Sequence, residues 1–414
     1  MPDTDKTCDT LFLQDILDTG SVQSFFQPVV SIQKKSIIGF EAFARGVSGK
    51  DQQMVKPGVL FDACHDLETQ LKVDRICRKA ALEQFQSIYR SHQNILLFLN
   101  INSNSLSAPG VQKEHLLEAA RSYGYEPKHL VIEVEERMIN ESFPWELFQF
   151  YKEQGFKFSI DDIGAGGLGL DKMFMIKPDF IKVSRKIFED MKEKPYKADM
   201  LKSLKKASEE LGCILVGKSV EIESEAFDLL EADIFYQQGF FYTKTKGDDT
   251  TRKPLEIFQE KISKVYAKFR ARATSSIKAK KEMFETYHKT TNKIMFKLEG
   301  SAENEFTELC RRICIGIKEV AGIFLLNEAG IQITPRLTKI PATDGKTSLK
   351  ESGEGEDHSI KDYVLYLEMG FEKFVSPAFV SPLTKASHTI ISRRFYNREG
   401  KGYIICVEYP YLAS

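Results

Sequence analysis

The chain has 414 residues, of which 42% are hydrophobic and 28% charged, and its formal net charge is -1. This length predicts two or three domains, and the near-zero charge provides no general basic field that would attract a nucleic acid polymer or an anionic membrane. No stretch approaches the roughly 20 apolar residues of a membrane-spanning helix, and the N-terminus lacks the apolar core of a secretion signal. The seven cysteines are scattered, so we expect reduced thiols in a cytoplasmic protein.

Strand-like and helix-like segments alternate as far as residue 243, after a short entry helix at residues 9–17. The predicted strands are residues 24–31, 36–44, 95–101, 130–135, 156–161, 180–184, 213–220 and 234–242. The helices predicted between them include residues 72–89, 115–123, 144–154, 196–211 and 223–231. Several strands are continuous apolar runs, which is typical of burial on both faces. Eight such strands over about 240 residues predict an α/β fold, a (β/α)8 barrel of the TIM type.

The first two predicted strands break the alternation. Only residues 32–35 separate them, and four residues are too few for the crossover that two parallel strands require. We therefore expect the first strand to be antiparallel to the second.

The segment from Phe156 to Gly167 joins a buried-strand pattern to two adjacent carboxylates, Asp161 and Asp162, and then to a glycine-rich turn. Neighbouring strand residues point to opposite faces, so both aspartates can serve one site only if the strand ends there. The glycines permit the positive φ angles of such an ending. Two carboxylates at a strand tip suit a divalent cation. The alternative is a turn whose aspartates cap a following helix.

In a barrel of this type the functional face is the rim at the C-terminal ends of the strands. Polar residues stand near that end of seven predicted strands. They are Glu41, Arg45, Asn100, Asn102, Glu133, Glu135, Glu136, Asp161, Asp162, Lys182, Lys218, Glu221, Gln237 and Gln238. Each has an ordinary structural explanation, such as a solvated helix start or a snorkelling lysine. Their coincidence at one rim instead predicts a binding site.

In this order the motifs resemble the EAL family of cyclic di-GMP phosphodiesterases, over about residues 20–243. The matching residues are Gln27-Pro28, Glu41-Ala42-Phe43, Arg45, Asn100, Glu133, Glu136, Asp161-Asp162-Ile163-Gly164-Ala165-Gly166, Lys182, Val220-Glu221 and Gln238-Gly239. The resemblance implies a (β/α)8 barrel with an antiparallel first strand, and metal-dependent hydrolysis of cyclic di-GMP to linear pGpG.

The resemblance also implies roles for these residues. One Mg²⁺ or Mn²⁺ would be held by Glu41, Asn100, Glu133 and Asp161, and a second cation would be bridged by Asp161 and Asp162. The ligand would be contacted by Gln27, Glu41, Phe43, Arg45, Glu221 and Gln238. The reaction would depend on Glu136, Asp162, Lys182 and the position of Lys218. Within this last set, Lys182 would orient the attacking water or stabilise the developing charge, and Glu136 would hold the loop at residues 161–167.

The chain departs from the family pattern at strand seven, where the motif E-G-V-E reads Lys218-Ser219-Val220-Glu221. A lysine thus replaces a glutamate that serves the second metal and its water, and an ammonium cannot generate hydroxide as a metal ion does. Smaller departures are Phe43 for a leucine, Ser184 for an aspartate, and residues 167–169 for more polar ones. We predict a receptor that binds cyclic di-GMP with weak or absent hydrolysis. The alternatives are an active phosphodiesterase and a scaffold without a nucleotide.

The remaining sequence predicts a helical linker at residues 251–299 and a smaller α+β domain at residues 300–414, after a barrel domain at residues 1–250. The linker is amphipathic and predicts one long helix, or two in series around residues 274–276. Such a helix either packs on the side of the barrel or forms the seam of a dimer, and we expect a homodimer. The predicted elements of the last domain are a helix at 306–320, a hairpin of 322–326 with 331–334, a polar loop at 341–360, a helix at 361–371, and strands at 388–396 and 402–409. This order resembles PAS-like and Cache-like sensor domains.

Overall fold

The computed structural model describes residues 10–47, 54–92, 94–101, 114–140, 143–164, 170–191, 193–243, 255–341 and 347–411. The chain divides into two compact units, Met1–Arg270 and Ala271–Ser414. The predicted division into barrel, linker and sensor domain stays a prediction. None of the helices in the described ranges combines the length and the apolar character needed to span a membrane.

The first unit alternates strands and helices as the sequence predicts. Its helices are α1 (Thr10–Thr19), α2 (Pro57–Asp62), α3 (Leu67–Ser91), α4 (His115–Ser122), α5 (Trp145–Glu153), α6 (Leu170–Ile176), α7 (Arg185–Phe188), α8 (Pro195–Leu211) and α9 (Glu223–Glu231). Its strands are β1 (Val22–Ser31), β2 (Ser36–Val47), β3 (Met54–Val55), β4 (Leu96–Asn100), β5 (Leu130–Glu135), β6 (Lys157–Ile163), β7 (Phe180–Val183), β8 (Ile214–Gly217) and β9 (Tyr236–Gln237).

These strands close into an eight-stranded barrel in the order β1-β2-β4-β5-β6-β7-β8-β9, and β9 pairs with β1 again. Strand β1 is antiparallel to both of its neighbours, whereas the other barrel neighbours are parallel. The predicted TIM-like barrel with an antiparallel first strand is therefore confirmed. Strand β3 lies outside the barrel and extends the end of β2.

The barrel has two hydrophobic layers because its strands are buried on both faces. The inner cluster consists of Val29, Phe98, Val131, Phe180 and Val216. The outer cluster lies between the strands and the helices and includes residues such as Leu97, Ile132 and Ile181, each one position away from an inner residue. This alternation is the period of two that a strand imposes on its side chains.

Two strand lengths predicted from the sequence are wrong. Strand β8 ends at Gly217 instead of residue 220, and β9 is confined to Tyr236–Gln237 within the predicted residues 234–242. The reason lies at Ser219, whose φ of 62° turns the chain out of the strand. The backbone bonds that follow belong to a turn, since Val220 N donates to Gln238 O at 2.9 Å.

Helix α10 (Leu255–Glu299) is one continuous helix, without a break at residues 274–276, and both units include part of it. The second unit adds α11 (Phe306–Gly316) and α12 (Asp362–Glu368). Its strands are β10 (Gly322–Asn327), β11 (Arg336–Pro341), β12 (Thr347–Ser352), β13 (Lys373–Val375), β14 (Phe379–Val380), β15 (Ser387–Tyr396) and β16 (Gly402–Pro410).

The strands of the second unit form an antiparallel sheet in the order β12-β11-β10-β16-β15-β13, with β14 paired to β15. One face packs its Ile323, Ile405 and Val407 against Ile294 of α10 and Cys310 of α11. The other face packs Phe324, Ile404 and Cys406 against Val364 and Leu367 of α12. Both faces of the sheet are thus covered by helices.

Two predictions for this unit are wrong. Residues 331–334 make only isolated bridges, and the partner of β10 in its hairpin is β11. The predicted polar loop at 341–360 contains strand β12, which pairs with β11 along its whole length. The kinship with PAS-like or Cache-like domains stays a prediction.

Candidate binding site at the barrel rim

The barrel's inner residues position the polar rim. A polar residue follows two positions after an inward-facing residue on each of β4, β5, β6 and β7. The same spacing recurs at the end of β8. The pairs are Phe98 with Asn100, Val131 with Glu133, Ser159 with Asp161, Phe180 with Lys182, and Val216 with Lys218. A spacing of two keeps both members on one face of a strand. The polar member of each pair therefore lies above the inner hydrophobic cluster, at the C-terminal rim of the barrel.

Glu41 is the centre of the site. It lies on β2 with 1% of its surface exposed, and its Oε2 accepts hydrogen bonds from Lys182 Nζ at 2.6 Å and Gln238 Nε2 at 2.8 Å. Its Oε1 accepts from Asn100 Nδ2 at 2.9 Å. Burial opposes the ionisation of Glu41, but the ammonium groups of Lys182 and Lys218 outweigh it and lower the pKa to about 2. Glu41 is therefore a buried, fully ionised carboxylate.

Lys182 is completely buried and joins two of the carboxylates. Its Nζ lies 2.6 Å from Glu41 Oε2 and 2.7 Å from Glu133 Oε1, and 4.8 Å from the centre of the Phe98 ring. Burial disfavours its charge, yet the carboxylates of Glu133 and Glu41 more than compensate and raise its pKa. A charged ammonium is thus held at the bottom of the site.

Lys218 makes a second charged cluster with both aspartates. Its Nζ lies 2.6 Å from Asp161 Oδ2 and 3.3 Å from Asp162 Oδ1. Although its burial favours the neutral amine, Asp161 and Glu41 raise the pKa of Lys218. Lys218 therefore occupies the space between the two carboxylates as a cation.

The backbone explains how adjacent aspartates reach one ammonium. Strand β6 continues to Ile163, beyond the predicted end, and its pairing with β7 shifts register between Ile160 and Ile163. Asp162 itself takes a positive φ of 60°. A bulge of this kind re-aims a side chain. The expectation that the strand ends at the aspartates is therefore wrong, because the bulge at Asp162 re-aims its side chain within β6; of the predicted glycines only Gly164, with φ of 98°, lies in the described residues.

Some buried carboxylate oxygens have no hydrogen-bond donor. In the carboxylate cluster around Glu41 they are both oxygens of Glu133 and Oδ1 of Asp161, and Glu133 Oε1 reaches Lys182 only as an ion pair without hydrogen-bond geometry. Burial, and next the charge of Glu41, raise the pKa of Glu133 to about 8. Burial also raises the pKa of Asp161, in spite of Lys218. The rim thus offers more buried acceptors than donors.

Unpartnered carboxylate oxygens are the hard ligands that Mg²⁺, Mn²⁺ and Ca²⁺ prefer. One cation could be held by Glu41, Asn100, Glu133 and Asp161. Within the described part of the chain, however, no three Asp, Glu, His or Cys side chains already lie close enough together to form a metal site. A second cation between Asp161 and Asp162 does not fit, because Lys218 Nζ lies there.

A cavity of about 690 Å³ opens above this cluster, within the range of pockets that hold drug-sized ligands. Seven of the predicted site residues line it: Glu41, Phe43, Asn100, Glu133, Asp161, Asp162 and Lys218. Further walls come from α2 and α3 and from the chain after β5, with Phe61, Asp62, Asp74, Cys77, Arg78, Arg137, Met138 and Asn140. The cavity therefore combines an acidic floor with walls that carry both charge signs.

The Asp74–Arg78 pair is a feature that the sequence analysis missed. The two side chains lie one helical turn apart on α3, with Arg78 Nη1 2.7 Å from Asp74 Oδ2 and only 13% and 4% of the side chains exposed. Such spacing is also common on solvated helix faces, so it does not single out a site. Arg137 also lines the cavity and pairs with Glu135.

Gln27 and Gln238 lie behind Glu41 and outside the cavity lining. Gln238 Nε2 donates to Gln27 Oε1 at 3.0 Å as well as to Glu41, so the pair orients the Glu41 carboxylate. Gly239 permits this arrangement, because a Cβ there would lie 2.2 Å from Val220 N and O. The structure thus places these glutamines as supports of Glu41.

Three further predicted residues also lie away from the cavity lining. Glu136 Oε2 accepts from Gly164 N at 2.9 Å, which ties the end of β5 to the turn after β6. Glu221 Oε2 pairs with Arg185 Nη1 at 2.8 Å. Arg45 donates from Nη1 to Ala44 O at 2.8 Å. Asn102 and residues 165–169 lie outside the described residues.

Comparisons with known proteins agree on the fold. The EAL domain family model matches residues 12–245, which is more than half of the chain. YkuI of Bacillus subtilis, an uncharacterized EAL-domain containing protein, is 20% identical over 332 residues, 78% of this chain and 79% of that protein. The probable cyclic di-GMP phosphodiesterase PdeI of Escherichia coli is 25% identical over 238 residues, 56% of this chain and 30% of that protein.

Solved structures extend the likeness to the whole chain. A crystal structure of YkuI in complex with substrate c-di-GMP and calcium matches with a TM-score of 0.80 at 19% identity, over 97% of this chain and 99% of that one. A manganese/c-di-GMP complex of Klebsiella pneumoniae BlrP1 at pH 6 matches with a TM-score of 0.50 at 25% identity, over 54% of this chain and 56% of that one. The fold of both units is therefore shared with YkuI.

Proposed function

This chain belongs to the EAL domain family, and from this premise we propose that it binds cyclic di-GMP in the rim cavity and hydrolyses it weakly or not at all. Complexes of similar proteins with c-di-GMP support the choice of ligand. The observation that supports weak or absent hydrolysis is the position of Lys218, whose ammonium lies 2.6 Å from Asp161 and 3.3 Å from Asp162. The chain would act as a receptor in cyclic di-GMP signalling.

Binding uses the residues that line the cavity. The phosphate of the ligand is an anion, so it would sit near Lys218 and the exposed Arg137 rather than against the carboxylates. The buried Asp74–Arg78 pair presents an acceptor and a donor side by side, which suits the edge of a guanine base. Phe43 and Phe61 add apolar and aromatic surface, on which bases can stack.

The carboxylates of Glu41, Glu133 and Asp161, with Asn100, would hold one Mg²⁺ or Mn²⁺. When bound, such a cation supplies Lewis-acid polarisation of a phosphoryl oxygen and a more acidic water. The chain's own residues prepare this place: Asn100 and Gln238 orient Glu41, and Glu136 steadies the turn at Gly164. Lys182 contacts both Glu41 and Glu133 and balances the buried negative charge of Glu41.

Hydrolysis needs an activated water as well as a bound phosphodiester. At the place where the family pattern has a glutamate, Lys218 contributes a permanent positive charge, since Asp161 and Glu41 raise its pKa. A protonated ammonium has no lone pair with which to accept a proton from water. Residues of a two-metal unit act together, so the loss of one costs orders of magnitude in rate.

The second unit would couple the ligand-bound state to a signalling output, as a sensor or regulatory domain of PAS-like type, in a chain that works as a homodimer. The coupling role rests on the shared fold with YkuI over nearly the whole length and on the covered antiparallel sheet, whereas the homodimer rests on the long amphipathic helix α10.

An active cyclic di-GMP phosphodiesterase is the second candidate. It is favoured by the unpartnered oxygens of Glu133 and Asp161 and by the buried Lys182, which together retain most of the groups that the resemblance assigns to catalysis.

Calorimetry and chromatography on the full chain separate the two candidates. We expect purified protein with Mg²⁺ or Mn²⁺ to bind cyclic di-GMP and to form linear pGpG at least about 100-fold more slowly than the Lys218→Glu variant. Lys202→Glu makes the same charge change at an exposed position of α8 and should leave turnover unchanged. Wild-type turnover in the ordinary range of about 1–1,000 s⁻¹ would favour the phosphodiesterase. Absence of binding would overturn both candidates.

A further inference from the structure

The Lys218 cluster also bears on how many metal ions the site holds. We propose that the ammonium of Lys218 replaces the second divalent cation, so that the ligand-bound site contains one cation instead of two. This inference rests on the proposed function, because it concerns the same cavity. It adds a cation stoichiometry that neither the family membership nor the proposed binding specifies.

The first support is that the two carboxylate oxygens of Asp161 have different surroundings. Its Oδ2 lies 2.6 Å from Lys218 Nζ, whereas its Oδ1 is buried and has no hydrogen-bond partner. One oxygen is therefore already neutralised by the ammonium, and the other is left for a cation. On Glu133, Oε1 already lies 2.7 Å from Lys182 Nζ, which leaves Oε2 as a second buried oxygen without a partner. The carboxylate oxygens of Glu133 and Asp161 that accept no hydrogen bond thus lie on two residues that share a single predicted cation position.

The second support is the charge of the site relative to the family pattern. Lysine in place of glutamate at position 218 makes the site more positive by two units, and Ser184 in place of aspartate adds one more. The change exceeds the charge of one divalent cation. Ser184 is buried and its N donates to Ile163 O at 3.1 Å, beside Asp162. Lys218 and Ser184 therefore both change the charge near Asp162.

The third support is that the backbone holds Lys218 in place. Its N donates to Val183 O at 3.0 Å, and Val220 N donates to Gln238 O at 2.9 Å. Arg185 then joins the end of β7 to this loop through Glu221 at 2.8 Å and Glu225 at 2.7 Å. Only 19% of the Lys218 side chain is exposed. The Lys218 ammonium is thus held in position by the surrounding structure. A second cation at the two aspartates would have to displace it against charge repulsion.

Counting bound Mn²⁺ tests the inference. Free Mn²⁺ is measured by electron paramagnetic resonance while the full chain is titrated with MnCl₂, first alone and then with saturating cyclic di-GMP. We expect one Mn²⁺ per wild-type chain. The Lys218→Glu variant should bind two and show the exchange-coupled spectrum of two Mn²⁺ ions about 3.5–4 Å apart. Lys202→Glu should still bind one, and circular dichroism checks that both variants fold.

Two Mn²⁺ ions in the wild-type site, or a count that stays the same in Lys218→Glu, would overturn the inference. The wild-type count stands even if the variant does not fold. Failure of cyclic di-GMP to bind is a separate result, since it overturns the proposed function, while the titration with Mn²⁺ alone still decides whether Lys218 takes the place of a cation.

Discussion

Both units bury carboxylates on the strands of a central sheet, but they partner them differently. In the second unit Glu408 of β16 is fully buried, accepts a hydrogen bond from Arg336 Nε, and lies 3.3 Å from His388 Nδ1 through its other oxygen. In the first unit Glu133 of β5 is equally buried, yet neither of its oxygens accepts a hydrogen bond.

The pKa shifts of the two carboxyl groups run in opposite directions. Burial raises the pKa of Glu133 to about 8, with a further contribution from Glu41. Burial also opposes the ionisation of Glu408, but the hydrogen bond from His388 and the charge of Arg336 outweigh it and lower the pKa. A buried charge with complete partners serves the fold, whereas one without them is available for a ligand.

The largest effect should come from removing Glu408. Glu408→Ala leaves Arg336 and His388 without their shared acceptor, and we expect a loss of about 3 kcal/mol in the free energy of unfolding. Urea denaturation followed by far-UV circular dichroism measures it. The single tryptophan, Trp145, lies in α5, so its fluorescence provides a reference for the first unit. The exposed Glu399→Gln is the matched control, and an equal loss there would contradict the role of the network.

Acid should weaken the same network. Because the folded state lowers the pKa of Glu408 below its ordinary 4.5, the folded state binds fewer protons than the unfolded state at low pH. The contribution of Glu408 is therefore complete above pH 4.5 and is lost as the pH falls through the folded-state value. The Glu408→Ala variant should show a weaker dependence on pH in this range than the wild type, and identical acid profiles would contradict this assignment.

Replacing Glu133 should change the free energy of unfolding in the opposite direction from replacing Glu408. Glu133→Gln removes a buried carboxyl group whose ionisation the folded state opposes, since burial raises its pKa to about 8, and we expect the free energy of unfolding to rise by about 1–2 kcal/mol, as is common where a binding site is strained. The same variant should bind Mn²⁺ more weakly, measured by calorimetry. A clear loss of stability would show that the Glu133 charge already has adequate partners in the absence of a metal ion.

Arg185 allows a test of a satisfied network within the rim. It contacts Glu221 and the buried Glu225, and about a third of its side chain is exposed, so solvent weakens these ion pairs. Arg185→Gln should therefore cost about 1 kcal/mol, measured as a shift of the Trp145 fluorescence transition. High salt should reduce the difference between the variant and the wild type, and a difference that does not depend on salt would point to packing instead.

The smallest effect concerns Ser219. Its φ of 62° is a left-handed conformation that costs a residue with a Cβ about 1–2 kcal/mol, while glycine loses about 0.5–1 kcal/mol in chain entropy. Ser219→Gly should thus stabilise the first unit by about 0.5 kcal/mol. Ser203→Gly, in the middle of α8, should instead destabilise it by about 0.5 kcal/mol. Thermal unfolding of the two variants gives the comparison.

Much of the barrel could be predicted because it depends on local patterns. Apolar runs identified β5 (Leu130–Glu135) to the residue, and the four-residue connection after β1 required an antiparallel pair. The prediction failed where hydrogen bonds to a partner strand, and not an apolar pattern, define the strand. Strand β12 is a polar segment that forms an edge strand only because β11 supplies its hydrogen bonds. A polar sequence gives no sign of such a partner.

The sequence predicted which residues lie at the rim, but not which of them contact one another. Alternation with a period of two places Asn100, Glu133, Asp161, Lys182 and Lys218 on the inner face at one end of the barrel, and a reader of the sequence can find them all. Which carboxylate each lysine contacts depends on strands far apart in the chain. For example, Glu41 and Lys182 are 141 residues apart and meet at 2.6 Å.

The sequence by itself determined the family, the closed barrel and the composition of its rim, because strand periodicity and connection length act over a few residues. Only the tertiary structure decided that Lys182 joins Glu41 to Glu133, that Lys218 lies between the two aspartates, and that Gln238 supports Glu41 from behind. The physical reason is that electrostatic and hydrogen-bond partners depend on distances of a few ångströms across the barrel. Those distances are set when the strands close on one another.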